Sequence, residues 1–173
     1  MGKLFWTGIG LVMASIMGGC ASGPTTDGIP AVTGFDAVRY MGTWYEVARL
    51  PQSFERGVTN TTAVYTLRAD GRVDVVNGGL KDGKQKSAHA IAEFKGAPTT
   101  GEFRVSFFRP FYGDYRIIHL EPDYSAAVVT SSTFDYLWIL SRTRSIAPER
   151  LEPYKQRLRT QGFAVDKLEY PNP

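Results

Sequence analysis

From residue 42 onward, apolar and polar residues alternate along the chain with the period of two that is typical of half-buried β-strands. Asp70-Gly71 and Asp82-Gly83 lie between such runs, and an Asp-Gly pair in this position indicates a tight hairpin turn. Because no long crossover connection separates neighbouring runs, each strand is expected to pair antiparallel with the next. The pattern predicts eight strands, at 44–49, 61–67, 73–77, 88–94, 103–108, 115–120, 126–130 and 136–141.

Eight short strands at hairpin spacing favour an all-β fold in which one antiparallel sheet closes on itself as an up-and-down β-barrel. A two-sheet sandwich is the alternative. One α-helix is predicted after the strands, at 148–160, where Leu151, Tyr154 and Leu158 share a face and Gly162 follows the end. This C-terminal helix is expected to pack on the outside of the barrel.

Two shorter elements are predicted at the ends of the same domain. A helical turn over 35–41, with Asp36 as its N-terminal cap, leads into the first strand. The alternating segment at 163–170, after the helix, predicts a final short strand.

The first twenty residues have a different pattern, with Lys3 as the only charge and an apolar run over 4–17 that has the length of a signal-peptide core. Two glycines then precede Cys20, the only cysteine of the chain. This segment resembles a bacterial lipobox, although Met17 stands where that motif usually carries leucine. The resemblance implies that Cys20 is lipidated, and an ordinary secretory signal with an incidental cysteine is the alternative.

These observations divide the chain into a lipoprotein signal peptide at 1–19, a lipidated N-terminus with a polar flexible tether at 20–34, and a folded domain at 35–173. Ala21 follows the cysteine, and a residue other than aspartate at this position is typical of Gram-negative lipoproteins of the outer membrane. Each acyl methylene that enters a bilayer contributes about 0.8 kcal/mol, and two or more chains anchor a protein stably. We therefore expect a protein that is tethered to the outer membrane and does not span it.

Composition narrows the classes of function. A single cysteine excludes an internal disulfide and a zinc site built on several thiolates. The formal charge of +3 is small and the basic residues are scattered, so no nucleic-acid partner is expected. The sequence has no nucleophile elbow, zinc-binding helix or phosphate-binding glycine loop, and we expect neither a metal nor a cofactor.

Three short motifs occur in the order found in lipocalins. Gly42 and Trp44, at the start of the first strand, resemble the G-x-W signature of that family. Asp123 and Tyr124, between the sixth and seventh strands, resemble its T-D-Y motif, with proline in place of the usual threonine. Arg142 follows the eighth strand, where lipocalins carry an arginine.

The resemblance covers 35–170 and extends to the bacterial outer-membrane lipocalins and their apolipoprotein D-like relatives. It implies structural roles for the three motifs. Trp44 closes the floor of the barrel, and the guanidinium of Arg142 lies across its indole, a contact that contributes about 0.5 to 2 kcal/mol. Asp123 and Tyr124 order the loop beside this floor.

A small eight-stranded barrel is either filled by its side chains or leaves room for one ligand, and the repeated alanines among the inward-facing residues favour a cavity. Side chains alternate along each strand, so Arg142 places Trp138 inward, and on most other strands the more apolar face is taken as the inner one. His119 is expected to be a packed, hydrogen-bonded side chain rather than a ligand of haem iron or of a head group. The residues expected to line the cavity are Glu46, Ala63, Tyr65, Val75, Asn77, Ala92, Phe94, Val105, Phe107, Ile117, His119, Val128, Tyr136 and Trp138.

The expected partner is a fatty acid or lysophospholipid, held for storage or transport near the outer membrane. A lipocalin-fold enzyme of the isomerase or de-epoxidase type, acting on an apolar substrate, is the alternative. Glu46 is the only carboxylate expected inside, and one alone lacks the partner that two-carboxylate catalysis requires. The aromatic run at 107–112 is explained by the core and a ligand-entrance rim; an exposed patch for homodimer formation or membrane contact is the alternative.

Overall fold

Eight antiparallel strands form a closed barrel in the computed structural model, which describes residues 24–172. Each strand pairs with its sequence neighbour, and the last strand returns to pair with the first, so that Tyr45 lies opposite Ser141. This closure confirms the predicted up-and-down barrel and excludes the sandwich. The predicted signal peptide at 1–19 and Cys20 lie outside the described residues. The strands are β1 Gly42–Arg49, β2 Val58–Leu67, β3 Val73–Lys81, β4 Lys84–Phe94, β5 Glu102–Phe108, β6 Phe111–Leu120, β7 Ala126–Thr130 and β8 Leu137–Ser141.

Two α-helices flank the strands within residues 24–172. The first, α1 Ala37–Tyr40, is capped by the Asp36 carboxylate, which accepts hydrogen bonds from two backbone N–H groups of its first turn at 2.9 and 3.2 Å. The second, α2 Pro148–Thr160, begins with a proline, which is favoured there because its missing N–H has no partner to lose. Tyr154 and Leu158 of α2 are buried against the outside of the barrel.

The chain turns after α2 instead of extending. Residues Val165–Lys167 form a 3-10 turn, in which backbone N–H groups donate to carbonyls two or three residues earlier. The strand predicted over 163–170 is therefore wrong for most of its length, because these local hydrogen bonds replace a ladder. Only Glu169 pairs with the sheet, through a bridge to Arg49 of β1.

Two apolar cores lie on opposite sides of the barrel wall. The inner core contains Phe35, Tyr40, Trp44, Tyr65, Val73, Phe103 and Ile117. The outer core, beneath α2, contains Val47, Leu50, Leu137, Ile139, Tyr154, Leu158 and Phe163. The strands that separate the two cores are buried on both faces, and their sequences do not alternate cleanly.

Two register shifts change which residues face the interior. The pairing of β1 with β8 shifts between Glu46 and Ala48, and Ala48 joins the outer core, although strict alternation from Trp44 places it inside. The pairing of β6 with β7 shifts between Ile117 and His119. The prediction that His119 faces the cavity is wrong, because this shift turns the imidazole towards α2.

The prediction that Val128 lines the cavity is also wrong. Every residue of β7 from Ala126 to Thr130 is buried, so the apolar character of this strand is the same on both faces. Val128 belongs to the outer core beneath α2, whereas Val129 faces the interior. Choosing the more apolar face therefore does not identify the inner face of this strand.

The segment at 24–34 packs along the barrel, and the prediction of a flexible tether is wrong for this described part of it. Thr25 forms a β-bridge with Thr133, in the connection between β7 and β8. Thr26 is fully buried, and its carbonyl accepts a hydrogen bond of 2.8 Å from Nη1 of Arg116. Because a buried guanidinium requires hydrogen-bond acceptors, the bond from Arg116 to this carbonyl holds the segment in place against the barrel.

Candidate ligand-binding site

A cavity of about 340 Å³ lies inside the barrel, between the end closed by α1 and the opposite, loop-bearing end. Ten of the residues that the sequence pattern placed inside line it: Glu46, Ala63, Tyr65, Val75, Asn77, Ala92, Val105, Phe107, Tyr136 and Trp138. Its other lining residues include members of the loops at the open end, which form the mouth: Phe54, Glu55, Ser131, Ser132 and Thr133.

Phe94 and Ile117 lie below the cavity and do not form its wall. The Phe94 ring packs on Phe103, with centroids 4.5 Å apart. Ile117 is fully buried, and its N–H donates to the Gly101 carbonyl at 2.8 Å. The prediction that both line the cavity is wrong, since alternation along a strand gives the face of a residue but not its depth along the barrel axis.

The floor of the barrel is built on Trp44 and Arg142. The Arg142 guanidinium carbon lies 3.9 Å from the centroid of the fully buried indole, which is the contact implied by the lipocalin resemblance. Arg142 Nη1 donates to the Thr43 carbonyl at 2.8 Å, and Nη2 donates to the Met41 carbonyl at 2.9 Å. Gly42 has a φ of 94°, a left-handed conformation that favours glycine.

The motif around Tyr124 ties the β6–β7 connection to the floor. Oδ1 of Asp123 accepts a hydrogen bond of 2.9 Å from the N–H of Ser125, and the Ser125 hydroxyl together with this N–H lowers the pKa of the Asp123 carboxyl. The Tyr124 hydroxyl accepts a hydrogen bond of 2.8 Å from the Asp36 N–H, and the Arg39 guanidinium lies 4.1 Å from the Tyr124 ring centroid. Asp123 and Tyr124 therefore hold the loop against the start of α1.

Three tyrosine hydroxyls meet at the lower end of the cavity. The Tyr115 hydroxyl lies 2.7 Å from that of Tyr40 and 2.9 Å from that of Tyr65. Burial raises the pKa of all three side chains well above the ordinary value for tyrosine. The hydroxyls are thus neutral hydrogen-bonding groups in an apolar environment.

A second polar group surrounds the buried guanidinium of Arg49. Nη1 of Arg49 donates to Oε2 of Glu46 at 3.1 Å, and Nη2 donates to the backbone carbonyl of Glu55 at 2.8 Å. Nε of Arg49 lies 3.8 Å from Oε2 of Glu55 and 3.5 Å from Oε2 of Glu169. Nε1 of Trp138 donates to the same Glu55 oxygen at 3.3 Å.

Burial sets the protonation of this group. Burial and the neighbouring charge of Glu46 raise the pKa of Glu55 to about 8, although Arg49 and the Trp138 hydrogen bond act in the opposite direction. Burial also raises the pKa of Glu46, against the lowering effect of Arg49. Both carboxyl groups therefore hold a proton more tightly than a carboxyl group in water.

The cavity wall is acidic. Glu46, Glu55 and Asp114 line it, and no lysine, arginine or histidine does so in the part of the chain that the structure describes. Asp114 is paired with Lys95, whose Nζ lies 2.9 Å from Oδ1. The expectation of a single interior carboxylate is wrong, because the connection after β1 brings Glu55 into the wall.

His119 is packed between β6 and α2. Its Nε2 lies 3.2 Å from Oε1 of Glu121, which also accepts a hydrogen bond from the Tyr154 hydroxyl, and its Nδ1 lies 2.6 Å from Nη1 of Arg157. These contacts hold the helix to the barrel. The expectation of a packed, hydrogen-bonded histidine agrees with this environment, although its position is outside the cavity.

Within residues 24–172, no group of three histidine, cysteine, aspartate or glutamate side chains is arranged to hold a metal ion. No helix in this part of the chain has the length and apolarity needed to cross a membrane.

Comparison with known proteins identifies the class of this ligand-binding barrel. A family model described as a lipocalin-like domain matches residues 35–173. Several relatives are named outer membrane lipoprotein Blc. The one from Citrobacter freundii is 43% identical over 151 residues, with 86% of this chain and 85% of the relative covered. The one from Vibrio cholerae is 39% identical over 164 residues, with 92% and 95% covered. The chain belongs to the lipocalin family.

Solved structures agree on the fold. The crystal structure of Per a 4, a major allergen from cockroaches, matches 83% of this chain and 91% of its own with a TM-score of 0.65. Its sequence identity to this chain is 19%, so the similarity concerns the barrel architecture alone.

Proposed function

We propose that this lipocalin binds one single-chain amphiphile, a fatty acid or lysophospholipid, and stores or carries it without chemical change. The supporting observation is the cavity of about 340 Å³, which is closed at one end by Trp44 and Arg142. Small-molecule sites have volumes of about 300–1,000 Å³ and mostly apolar walls. Each buried methylene contributes about 0.8 kcal/mol, so a long acyl chain offsets the roughly 4 kcal/mol or more that association costs.

The proposed location is the outer membrane of a Gram-negative bacterium, through a lipid on Cys20. The lipobox-like segment before this residue supports the proposal, and relatives at 43% and 39% identity are named outer membrane lipoproteins. Replacement of the thiol in Cys20→Ser is expected to abolish palmitate incorporation and to leave a soluble exported protein or an uncleaved precursor. Labelling that persists in this variant would exclude lipidation at Cys20.

The mouth of the cavity is proposed to face the membrane that carries the anchor. Thr25 is bridged to Thr133, and Thr133 lines the cavity at the loop-bearing end. Cys20 precedes Thr25 by five residues, and five residues of fully extended chain span at most about 18 Å. A ligand that leaves the bilayer therefore has a short path into the barrel.

An exposed aromatic pair at the same end supports membrane contact. Phe108 and Phe111, on the hairpin between β5 and β6, are 68% and 47% exposed, and their stacked rings have centroids 6.4 Å apart. We propose that this pair, with Arg109 between its members, contacts the bilayer surface. A homodimer formed through the same pair is the competing arrangement, and the two give different results in solution.

Catalysis on a bound apolar substrate is the second candidate, because Glu46 and Glu55 place two carboxyl groups in the wall. Arg49 and Trp138 already bind these groups, which favours a structural or ligand-recognition role for them. A lipid extracted from the purified protein should match one supplied to it, with unchanged mass. A product of altered mass that accumulates with time would support the enzyme.

Titration of the purified protein with palmitate and with palmitoyl-lysophosphatidylcholine tests the binding function by calorimetry. A dissociation constant of about micromolar is expected for wild type. Ala92→Trp places an indole inside the cavity and should abolish binding, whereas Ala97→Trp, on an exposed turn, is the matched control. Absence of saturable binding to wild type, or normal binding to Ala92→Trp, would refute the proposal.

A further inference from the structure

We propose that the cavity selects single-chain amphiphiles whose head group carries an ammonium nitrogen, through Glu46, Glu55, Tyr136 and Trp138. This inference rests on the proposed function, and it names the chemical class of the head group. The four side chains line the same cavity, on β1, on the turn after it, and beside or within β8.

The charges in the wall argue for a cation. Among the described residues that line the cavity, Glu46, Glu55 and Asp114 carry carboxyl groups and none has a basic side chain; the Asp114 carboxyl is bound by Lys95, which leaves Glu46 and Glu55. The nearest cation to the first two is Arg49, which is 2% exposed and already bound to Glu46 and to the Glu55 carbonyl. Glu46 is paired with Arg49, so above the Glu55 pKa of about 8 the head group of a fatty-acid anion meets the Glu55 carboxylate and no free cation, whereas an ammonium group meets a carboxylate of opposite charge.

The aromatic residues beside the carboxylates suit the same ligand. The rings of Tyr136 and Trp138 are stacked, with centroids 6.0 Å apart and planes inclined by 26°. Trp138 is joined to Glu55 by the hydrogen bond of 3.3 Å from its indole N–H. Electron-rich aromatic faces attract cations, and aromatic side chains are the usual recognition groups for quaternary ammonium ligands.

The apolar part of the ligand has a separate place. Ala63, Val73 and Ala92 are buried, have small apolar side chains and form part of the cavity wall. An acyl chain in this region leaves the head group near the carboxylates, on the side of the cavity that Glu55 and the mouth share. Deep burial of the chain and recognition of the nitrogen are therefore compatible in one molecule.

Four probes with the same sixteen-carbon chain length test the proposal by calorimetry at pH 8.5, each below its micelle-forming concentration. They are palmitoyl-lysophosphatidylcholine, palmitoyl-lysophosphatidylglycerol, palmitate and hexadecyltrimethylammonium. The two ammonium probes should bind at least about tenfold more tightly than the two anions. Tight binding of hexadecyltrimethylammonium shows that the nitrogen is sufficient; if both lysophospholipids bind tightly and hexadecyltrimethylammonium binds no better than palmitate, the glycerophosphate is what the site recognises and ammonium recognition is refuted.

Two variants test whether Glu55 produces the preference for ammonium probes. Glu55→Gln keeps a carbonyl oxygen as acceptor for Trp138. In this variant the ratio of the dissociation constants of the anionic probes to those of the ammonium probes should fall close to one. Thermal unfolding checks that the variant is folded. Glu152→Gln makes the same change on the exposed face of α2, where Glu152 pairs with Lys155, and should retain the preference. Selectivity that persists in Glu55→Gln would refute the assigned site.

The outcomes separate this inference from the proposed function. Equal affinity for all four probes, or tighter binding of the anions, overturns the inference while amphiphile binding stands. If wild type binds none of the four probes, the proposed function fails and the inference fails with it.

Discussion

The side-chain amide of Asn172 is hydrogen-bonded to the backbone carbonyl of Glu46 at 2.7 Å, although the two residues are 126 positions apart. The same nitrogen donates to the Thr61 carbonyl at 3.0 Å. Regular pairing between β1 and β2 ends at Tyr45 and Thr62, and Glu46 and Thr61 are the next residues on each strand. Asn172 therefore fills the opening between the two strands beside the carboxylate that lines the cavity.

Asn172→Ala should destabilise the domain by about 1 to 3 kcal/mol, because two buried carbonyls lose their donor. Asn172→Asp should be similarly harmful, since it keeps the shape but not the N–H groups. Tyr170→Ala, at a side chain that is 49% exposed, is the control and should change stability by less than about 0.5 kcal/mol. Urea unfolding measures all three; equal stability of wild type and Asn172→Ala would show that the C-terminal segment does not hold the strands.

Arg142→Ala should destabilise the domain by roughly 1 to 3 kcal/mol, because the change uncovers Trp44 and removes the donors to several backbone carbonyls. Arg144→Ala provides a matched control, since Arg144 also lies over an aromatic ring, that of Tyr45 at 5.0 Å, but is exposed. Thermal unfolding is the measurement. A midpoint for Arg142→Ala within a degree of wild type would contradict the role assigned to the floor.

The strands could be predicted from the sequence because their signals are local. Asp70-Gly71 and Asp82-Gly83 mark hairpins, and the alternation between them needs no information about distant residues. The structure places these turns between β2 and β3 and between β3 and β4. The same alternation located most of the wall, including Ala63, Val75 and Ala92.

The errors have non-local causes. His119 faces α2 because a register shift in β6 interrupts alternation, and this shift depends on the pairing with β7. Glu55 lies in a 3-10 turn, and it reaches the wall through the hydrogen bond between its carbonyl and Arg49. Tyr40 enters the cavity from α1, outside the strand pattern altogether.

Glu55 is expected to make the stability of the protein fall as the pH rises. Its pKa is about 8 in the folded protein, well above the ordinary value of 4.5. The folded state binds this proton more tightly than the unfolded state, so the stabilisation is complete below about pH 4.5 and is lost progressively until about pH 8. Glu46 contributes in the same direction, because burial raises its pKa as well.

Glu55→Gln should consequently be about 1 to 3 kcal/mol more stable than wild type at pH 9, and the difference should shrink towards pH 5. The Glu55 carboxyl is surrounded by Arg49, Glu46 and Glu169. The pH dependence of stability that remains in the Glu55→Gln variant therefore reports on these neighbours. Urea unfolding at pH 5, 7 and 9 is the measurement, with Glu152→Gln as the exposed control. A wild-type stability that rises between pH 5 and pH 9 by the same amount as that of Glu55→Gln would disprove the assignment.

The aromatic pair Phe108 and Phe111 is expected to bind a lipid surface. Burial of one phenylalanine side chain contributes about 1.5 to 3 kcal/mol. Partial insertion of two rings therefore increases the partition of the protein from water to the lipid surface by about tenfold or more. The double replacement Phe108→Ser with Phe111→Ser should reduce sedimentation with vesicles of phosphatidylethanolamine and phosphatidylglycerol at least about tenfold. The soluble Cys20→Ser background is used, so that the covalent lipid does not mask the effect.

Val38→Ser is the matched control, because Val38 is 72% exposed on α1, at the closed end of the barrel, and should leave vesicle binding unchanged. Sedimentation equilibrium without lipid separates the competing arrangement. If the pair forms a homodimer, wild type is dimeric, the double variant is monomeric, and vesicle binding is the same for both. If the pair contacts the bilayer, the oligomeric state is unaffected and only vesicle binding falls, since the rings at the mouth then enter the lipid and not a second protein.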